Sequence, residues 1–195
     1  APAPPFNSDV EEIFREEILS PTAKGLIEEN LGGPGVVYFG LGLSNDGVPK
    51  VLEYNVRFGD PEAQAITRVL DSDIYPILKS STEGDLSRAR RNVIWKDQVA
   101  ICLVLSVKGY PRDYGSEKYP IQGVDKAESL PGIKVYHSGT MVENGTLFTD
   151  GGRILSLTAT GSSLAEARER VYGAAEEIDF RDKYYRKDIG AGQDD

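Results

Sequence analysis

The sequence holds one cysteine, one histidine, one methionine and one tryptophan. A single thiol, Cys102, excludes an intrachain disulfide framework and fits a reducing compartment. A single histidine, His137, has no second imidazole or partner cysteine beside it for a ligand set, and no nucleophile-elbow pattern accompanies it. Long apolar runs are missing too: none approaches the roughly 20 residues of a membrane span. No basic-then-apolar opening suggests a signal peptide. Positive charge is scarce, with 22 Lys and Arg against 31 Asp and Glu and a net charge of −9. General nucleic-acid binding needs a basic face, so that class is excluded, although a local basic pocket is still allowed. The expectation is a cytoplasmic chain with no nucleic-acid and no membrane partner. The only methionine is Met141 and the chain starts at Ala1. It therefore reads as a processed chain or a piece of something longer.

What is present is enough for a real core. The chain has 195 residues, 39% of them hydrophobic and 27% charged, room for one large domain or two small ones. Ala1-Pro2-Ala3-Pro4-Pro5 reads as an extended connector. Residues 8–30 have helical spacing, with Ser8 or Asp9 as cap and Pro21 as a kink or restart. Val36–Leu43 and Lys50–Val56 read as two strands joined by the turn Asn45-Asp46-Gly47. Asp60 reads as an N-cap with Pro61 at the first helical position, and a second helix covers Ile74–Ser81. The stretch 82–98, with Arg88, Arg90 and Arg91, is polar and irregular, and a domain boundary is placed there, giving 1–97 and 98–195. The second part reads as α+β with antiparallel strands at Gln98–Ser106, near Ile121, at Ile133–His137, Thr146–Thr149 and Arg153–Thr160. Ser162 or Ser163 caps a last helix that runs through Ile178.

Chemistry-bearing residues are densest between Glu53 and Glu62. Residues two apart on a strand share a face, so Glu53, Asn55 and Arg57 point one way and Leu52, Tyr54 and Val56 the other. A carboxylate and an amide oxygen side by side suit a hard cation such as Mg²⁺, which takes one or two protein ligands plus nucleotide phosphates. Arg57 can grip a phosphate in a bidentate fork. The pattern fits phosphoryl chemistry; it equally fits the wet face of a hairpin. His137 is open to acid/base work, to ligation or to a structural place at a strand end. Cys102 reads as an inert core thiol. Gly139 and Gly151-Gly152 frame a ligand loop or simply make turns. Arg153 and Arg186-Lys187 are basic groups among glycines and turns: an anion pocket or solvated side chains.

Val51-Leu52-Glu53-Tyr54-Asn55-Val56-Arg57-Phe58-Gly59-Asp60-Pro61-Glu62-Ala63-Gln64 closely resembles the signature of the phosphoribosylamine–glycine ligases, or glycinamide ribonucleotide synthetases. Ala1-Pro2-Ala3-Pro4 is similar to the segment after that family's glycine-rich loop. Gly109-Tyr110-Pro111, Val135–Thr140, Thr149–Arg153 and Tyr185–Gly190 are similar to its later landmarks, so the resemblance spans nearly the whole chain. It implies an α+β architecture: the C-terminal part of an ATP-grasp domain over 1–97, then over 98–195 a small, mainly antiparallel sheet domain with a packed helix. It also implies an ATP-dependent ligase of early purine synthesis. Such an enzyme phosphorylates the carboxylate of glycine, and the amine of phosphoribosylamine attacks the acyl phosphate to give glycinamide ribonucleotide, ADP and phosphate.

By the same resemblance Glu53 and Asn55 fall on the family's Mg²⁺ or Mn²⁺ pair. Arg57 falls on a catalytic, phosphate-lining position. Asp60 and Glu62 line phosphates and substrate, and Arg153, Arg186 and Lys187 lie on the sugar-phosphate side. The partners implied are ATP, glycine and phosphoribosylamine, and other purine-pathway domains can share one polypeptide with such an enzyme. The chain departs from the family in length, at about half. The part bearing the nucleotide-clamping lysines and glycine-rich loop would precede Ala1, so the chain alone is expected to be inactive or nearly so. Ser138 stands where alanine is usual and Tyr136 where phenylalanine is usual. Ala191-Gly192-Gln193-Asp194-Asp195 replaces the usual ending. Two other readings stay open: a different ATP-grasp carboxylate–amine ligase, and a non-catalytic binding or assembly module.

Overall fold

The computed structural model describes residues 1–3 and 5–191, the side chain of Arg88 excepted. The connector reading falls in part on Pro4 and the altered ending on 192–195, outside the described residues. The chain divides into two compact units. One, the hairpin unit, comprises Pro2–Gly59 and Leu70–Trp95; the other, the sheet unit, comprises Ala1, Asp60–Val69 and the chain from Lys96 onward.

The hairpin unit opens with α1 (Ser8–Ile13), a π-helical turn (Phe14–Leu19) and α2 (Ser20–Glu28). The cap is Asn7, not Ser8 or Asp9: its side-chain oxygen accepts from the backbone N–H of Asp9 (3.1 Å) and Val10 (3.0 Å). The expected restart is seen at Pro21, which lies in the first turn of α2. It has no N–H to offer the preceding turn, and the chain widens to the π repeat just before it, a usual way for a helix to absorb a residue that does not fit.

Strands β1 (Tyr38–Leu43) and β2 (Pro49–Asn55) pair antiparallel. Gly47, at φ +80°, closes the turn between them with its N–H on Ser44 O at 2.9 Å. The register shifts between Gly40 and Leu41: Gly40 faces Glu53, but Leu41 faces Val51. Leu52 is therefore the extra residue of a bulge. One face of the hairpin meets the helix through a run of edge-to-face rings, Tyr54–Phe39 at 5.3 Å, Phe39–Phe14 at 5.2 Å and Phe14–Phe6 at 5.8 Å. Further along, α4 (Ile74–Thr82) is capped by Asp73, whose carboxylate accepts from Tyr75 N. The expected irregular stretch 82–98 contains a short helix, α5 (Ser87–Arg90).

In the sheet unit α3 (Glu62–Val69) comes first. A four-stranded antiparallel sheet follows in the order β4 (Ile133–His137), β7 (Arg153–Gly161), β3 (Val99–Val107), β8 (Lys183–Tyr184). Alternation along β3 sorts its two faces. Ile101, Leu103 and Leu105 join the main core, with Leu155, Leu157, Val135 and the Ala167, Val171, Ala174 and Ala175 face of α7 (Leu164–Glu177). Ala100 and Cys102 instead pack with Ala65 and Val69 of α3. The two helices thus cover opposite faces of the sheet. Ser163, not Ser162, caps α7, accepting from Glu166 N at 3.2 Å.

No strand forms around Ile121; the chain there makes only single bridges, Pro120 to Phe148 and Gln122 to Asp179. The one-turn helix α6 (Val124–Glu128) follows directly after them. A separate hairpin pairs β5 (Thr140–Glu143) with β6 (Thr146–Thr149). The α+β class with antiparallel sheets is as expected. No helix among the described residues is long and apolar enough to cross a membrane.

Candidate functional site

The hairpin unit carries the candidate metal pair. Glu53 and Asn55 project from the end of β2, and Arg57 follows in a bend just beyond the strand. The period-two reading holds for all three. Asn55 Nδ2 donates to Glu53 Oε1 at 3.0 Å, and Arg57 Nη2 donates to Asn55 Oδ1 at 3.1 Å. A second bond from Arg57 Nη1 to Phe58 O, at 2.7 Å, holds the guanidinium over its own loop. Tyr54 points away, its hydroxyl 3.2 Å from Thr22 Oγ1 of α2. Gly40, opposite Glu53, makes room for it: a Cβ there would lie 2.7 Å from Glu53 Cγ.

The donor chemistry fits a hard divalent cation. One carboxylate and one amide carbonyl sit on neighbouring positions of one strand face, the amide now presenting its nitrogen to Glu53 and its oxygen to Arg57; two protein oxygens would leave the remaining positions of a cation to water or phosphate, as magnesium prefers. No group of three or more His, Cys, Asp or Glu that could hold a metal occurs among the described residues. His137 ends β4 with Nδ1 3.0 Å from Thr140 Oγ1.

The sheet unit carries the other candidates, and most are already engaged. Asp60 does not cap a backbone N–H. Its Oδ1 accepts from the Gln64 amide at 2.8 Å, and its Oδ2 pairs with Arg153 Nη2 at 2.9 Å. Arg153 Nη1 also donates to Asp60 O at 3.1 Å. The helix begins only at Glu62, after a turn through Asp60 and Pro61. Arg186 is forked onto Asp188, with Nε to Oδ1 at 2.9 Å and Nη2 to Oδ2. That guanidinium holds the Asp188 carboxyl below its usual range. Lys187 is exposed, and its backbone carbonyl accepts from Arg168 Nη2 at 2.9 Å.

Arg153 and Arg186 nonetheless share one open cleft of about 410 Å³. Tyr110, Tyr184, Pro61 and Cys102 also line it. Burial, and behind it the charges of Asp60 and Glu62, push the Cys102 thiol up to about 12, so it is the inert group expected. The glycine loops are filled by protein. A Cβ on Gly139 would lie 2.7 Å from Arg153 O, and one on Gly152 would lie 2.2 Å from the Tyr110 ring.

Three residues of this region escaped sequence reasoning. Gln64 lies four after Asp60, a spacing that lets side chains meet at a helix start, and Asp188 two after Arg186, a spacing that shares one side of non-helical, extended chain. Tyr184 has no such signal, because it reaches the cleft only through its pairing with Ser106 of β3.

A family model described as the ATP-grasp (A) domain of phosphoribosylglycinamide synthetase matches residues 1–63. A second, the C domain of the same enzyme, matches residues 100–192. The chain is 44% identical to a phosphoribosylamine–glycine ligase of Caulobacter vibrioides over 190 residues, covering 96% of the chain and 43% of that protein. It is 40% identical to one of Caldanaerobacter subterraneus, covering 98% of the chain and 44% of that protein. A chloroplastic one of Arabidopsis thaliana is 38% identical, covering 97% of the chain and 36% of that protein. The chain thus spans less than half the length of these relatives.

Among solved structures, the phosphoribosylamine–glycine ligase of Thermotoga maritima superposes with a TM-score of 0.63 at 32% identity. The match covers 78% of this chain and 36% of that one. The N5-carboxyaminoimidazole ribonucleotide synthetase of the same organism shares the fold, with a TM-score of 0.53 at 16% identity over 89% of this chain and 43% of that one. The two family models, these relatives and the solved ligase structure agree: the chain belongs to the phosphoribosylamine–glycine ligase family.

Proposed function

We propose that this chain supplies the metal-holding and C-terminal parts of a phosphoribosylamine–glycine ligase, with residues 1–97 in the first role and 98–195 in the second. The whole enzyme joins glycine to 5-phosphoribosylamine at the expense of ATP, forming glycinamide ribonucleotide, ADP and phosphate. The observation that carries the reading is the adjacency of Glu53 and Asn55 with Arg57 behind them. Glu53 and Asn55 hold Mg²⁺ or Mn²⁺, which when bound neutralises phosphate charge.

Arg57 takes the transferring phosphoryl group or the acyl phosphate in a bidentate grip. Asp60 and Glu62 follow in sequence and orient substrate groups. Arg153 serves mainly by fixing Asp60, since both ends of its guanidinium are on that residue. Arg186 and Lys187 face the sugar phosphate, and Arg186 exchanges Asp188 for it. Cytoplasmic placement goes with this reading; a chloroplast form exists in Arabidopsis by that relative's name.

Calorimetric titration of the chain with Mg²⁺–ATP tests the proposal. Binding is expected in the wild type and lost in Glu53→Ala. Equal binding heat in the two proteins overturns the assignment of the pair; none in either means that the nucleotide-clamping part is indispensable and moves the same comparison to the longer enzyme.

A further inference from the structure

We infer that Arg57 and a divalent cation compete for one atom, Asn55 Oδ1, so that loading the metal releases the guanidinium for an anion. The inference rests on reading Glu53 and Asn55 as the metal pair.

The Asn55 amide has two chemically different ends, and both are in use. Its Nδ2 is turned to Glu53 at 3.0 Å and its Oδ1 to Arg57 at 3.1 Å. The partners dictate this orientation. Reversed, the amide would set its N–H₂ against the guanidinium and its oxygen against the carboxylate, so that neither contact could be a hydrogen bond. A cation shared by Glu53 and Asn55 needs the reverse arrangement, with Oδ1 beside the carboxylate. The amide must therefore turn over, and its N–H₂ then faces Arg57, donor against donor.

The guanidinium is the group that yields. Arg57 is exposed, and its remaining bond is to the carbonyl of the next residue, Phe58 O, at 2.7 Å. An exposed contact of this kind holds weakly. Before metal arrives, Arg57 is the cation bonded to the pair, through Asn55 Oδ1; afterwards the metal takes that place. The displaced fork then has its donors open to phosphate or carboxylate. By linkage, an anion that holds Arg57 away raises metal affinity by the same factor as the metal raises anion affinity.

Titration of the chain with Mn²⁺, followed by the paramagnetic resonance signal of the free ion, tests this. Arg57→Ala is expected to bind Mn²⁺ about three- to tenfold more tightly than wild type, the worth of one charge-assisted bond at an exposed site. The same change is then made in an Asn55→Asp background. A carboxylate at 55 offers one oxygen to Arg57 and the other to the cation, so no turning over is needed and Arg57→Ala should give no tightening.

Tightening of equal size in both backgrounds would mean simple charge repulsion and would overturn the competition. So would the absence of tightening with Asn55 in place. Glu53→Ala separates the two layers of the argument. If it abolishes Mn²⁺ binding while Arg57→Ala changes nothing, the pair stands and the competition falls. If Mn²⁺ binding survives Glu53→Ala, the metal pair itself is wrong and the inference goes with it. Glu53 and Arg57 are exposed, and an unchanged thermal melt shows that each variant is folded.

Discussion

The thiol of Cys102 lines an open cleft yet is held far from reactivity. Its pKa is pushed to about 12, first by burial and then by the carboxylates of Asp60 and Glu62. Because the thiolate is the nucleophile, iodoacetamide at pH 8 should label native Cys102 at least about a hundredfold more slowly than the urea-unfolded chain. Comparable rates would show that the carboxylates and the packing do not act on it. Glu53, Asn55 and Arg57 could be placed together because a strand's period of two is local and needs no knowledge of the fold. The partners of Asp60 and Arg153 could not: the two are 93 positions apart and meet only when the start of α3 is laid against β7. Sequence shows a charge, and only the fold shows whether that charge is already spent.

Helix ends are where local chemistry speaks most plainly, and here it speaks in part. Ser163 caps α7, and Glu166 answers it by accepting from the backbone N–H and hydroxyl of Ser162, which holds its carboxyl below the usual range. Ser163→Ala should therefore lower the stability of the sheet unit by about 1 kcal/mol, measured by urea unfolding; a loss below a few tenths would deny the cap its role. At the first helix Asn7 outcompetes Ser8 and Asp9, since its own side chain reaches two N–H groups at once. Long strands such as Val99–Val107 and Arg153–Gly161 were legible because runs of buried β-formers have few other uses. The short elements were not. β8 has two residues and α5 four, too few to show a period, and they owe their form to neighbours supplied by the rest of the unit.

At the scale of the whole molecule, the sheet unit rests on strand β7, whose residues from Ile154 to Gly161 are all buried. Leu155 sits in the main core at 0% exposure. Leu155→Ala should cost about 2–5 kcal/mol, read as a drop in the urea midpoint with an unchanged slope; a smaller loss would mean that the core closes around the gap. Arg153 and Arg186 are each matched by their own carboxylate. The sheet unit is also discontinuous in the chain: α3 ends at Val69, Leu70–Trp95 belong to the other unit, and β3 resumes the sheet at Val99. In kinetic terms, α3 can reach β3 only after a loop of that length has closed, and Val99 must find Gly161 across a longer one still. Each closure loses chain entropy before any contact repays it. Folding speed in this unit is accordingly set by topology, whereas the hairpin that carries Glu53 and Asn55 assembles across one tight turn and can form first.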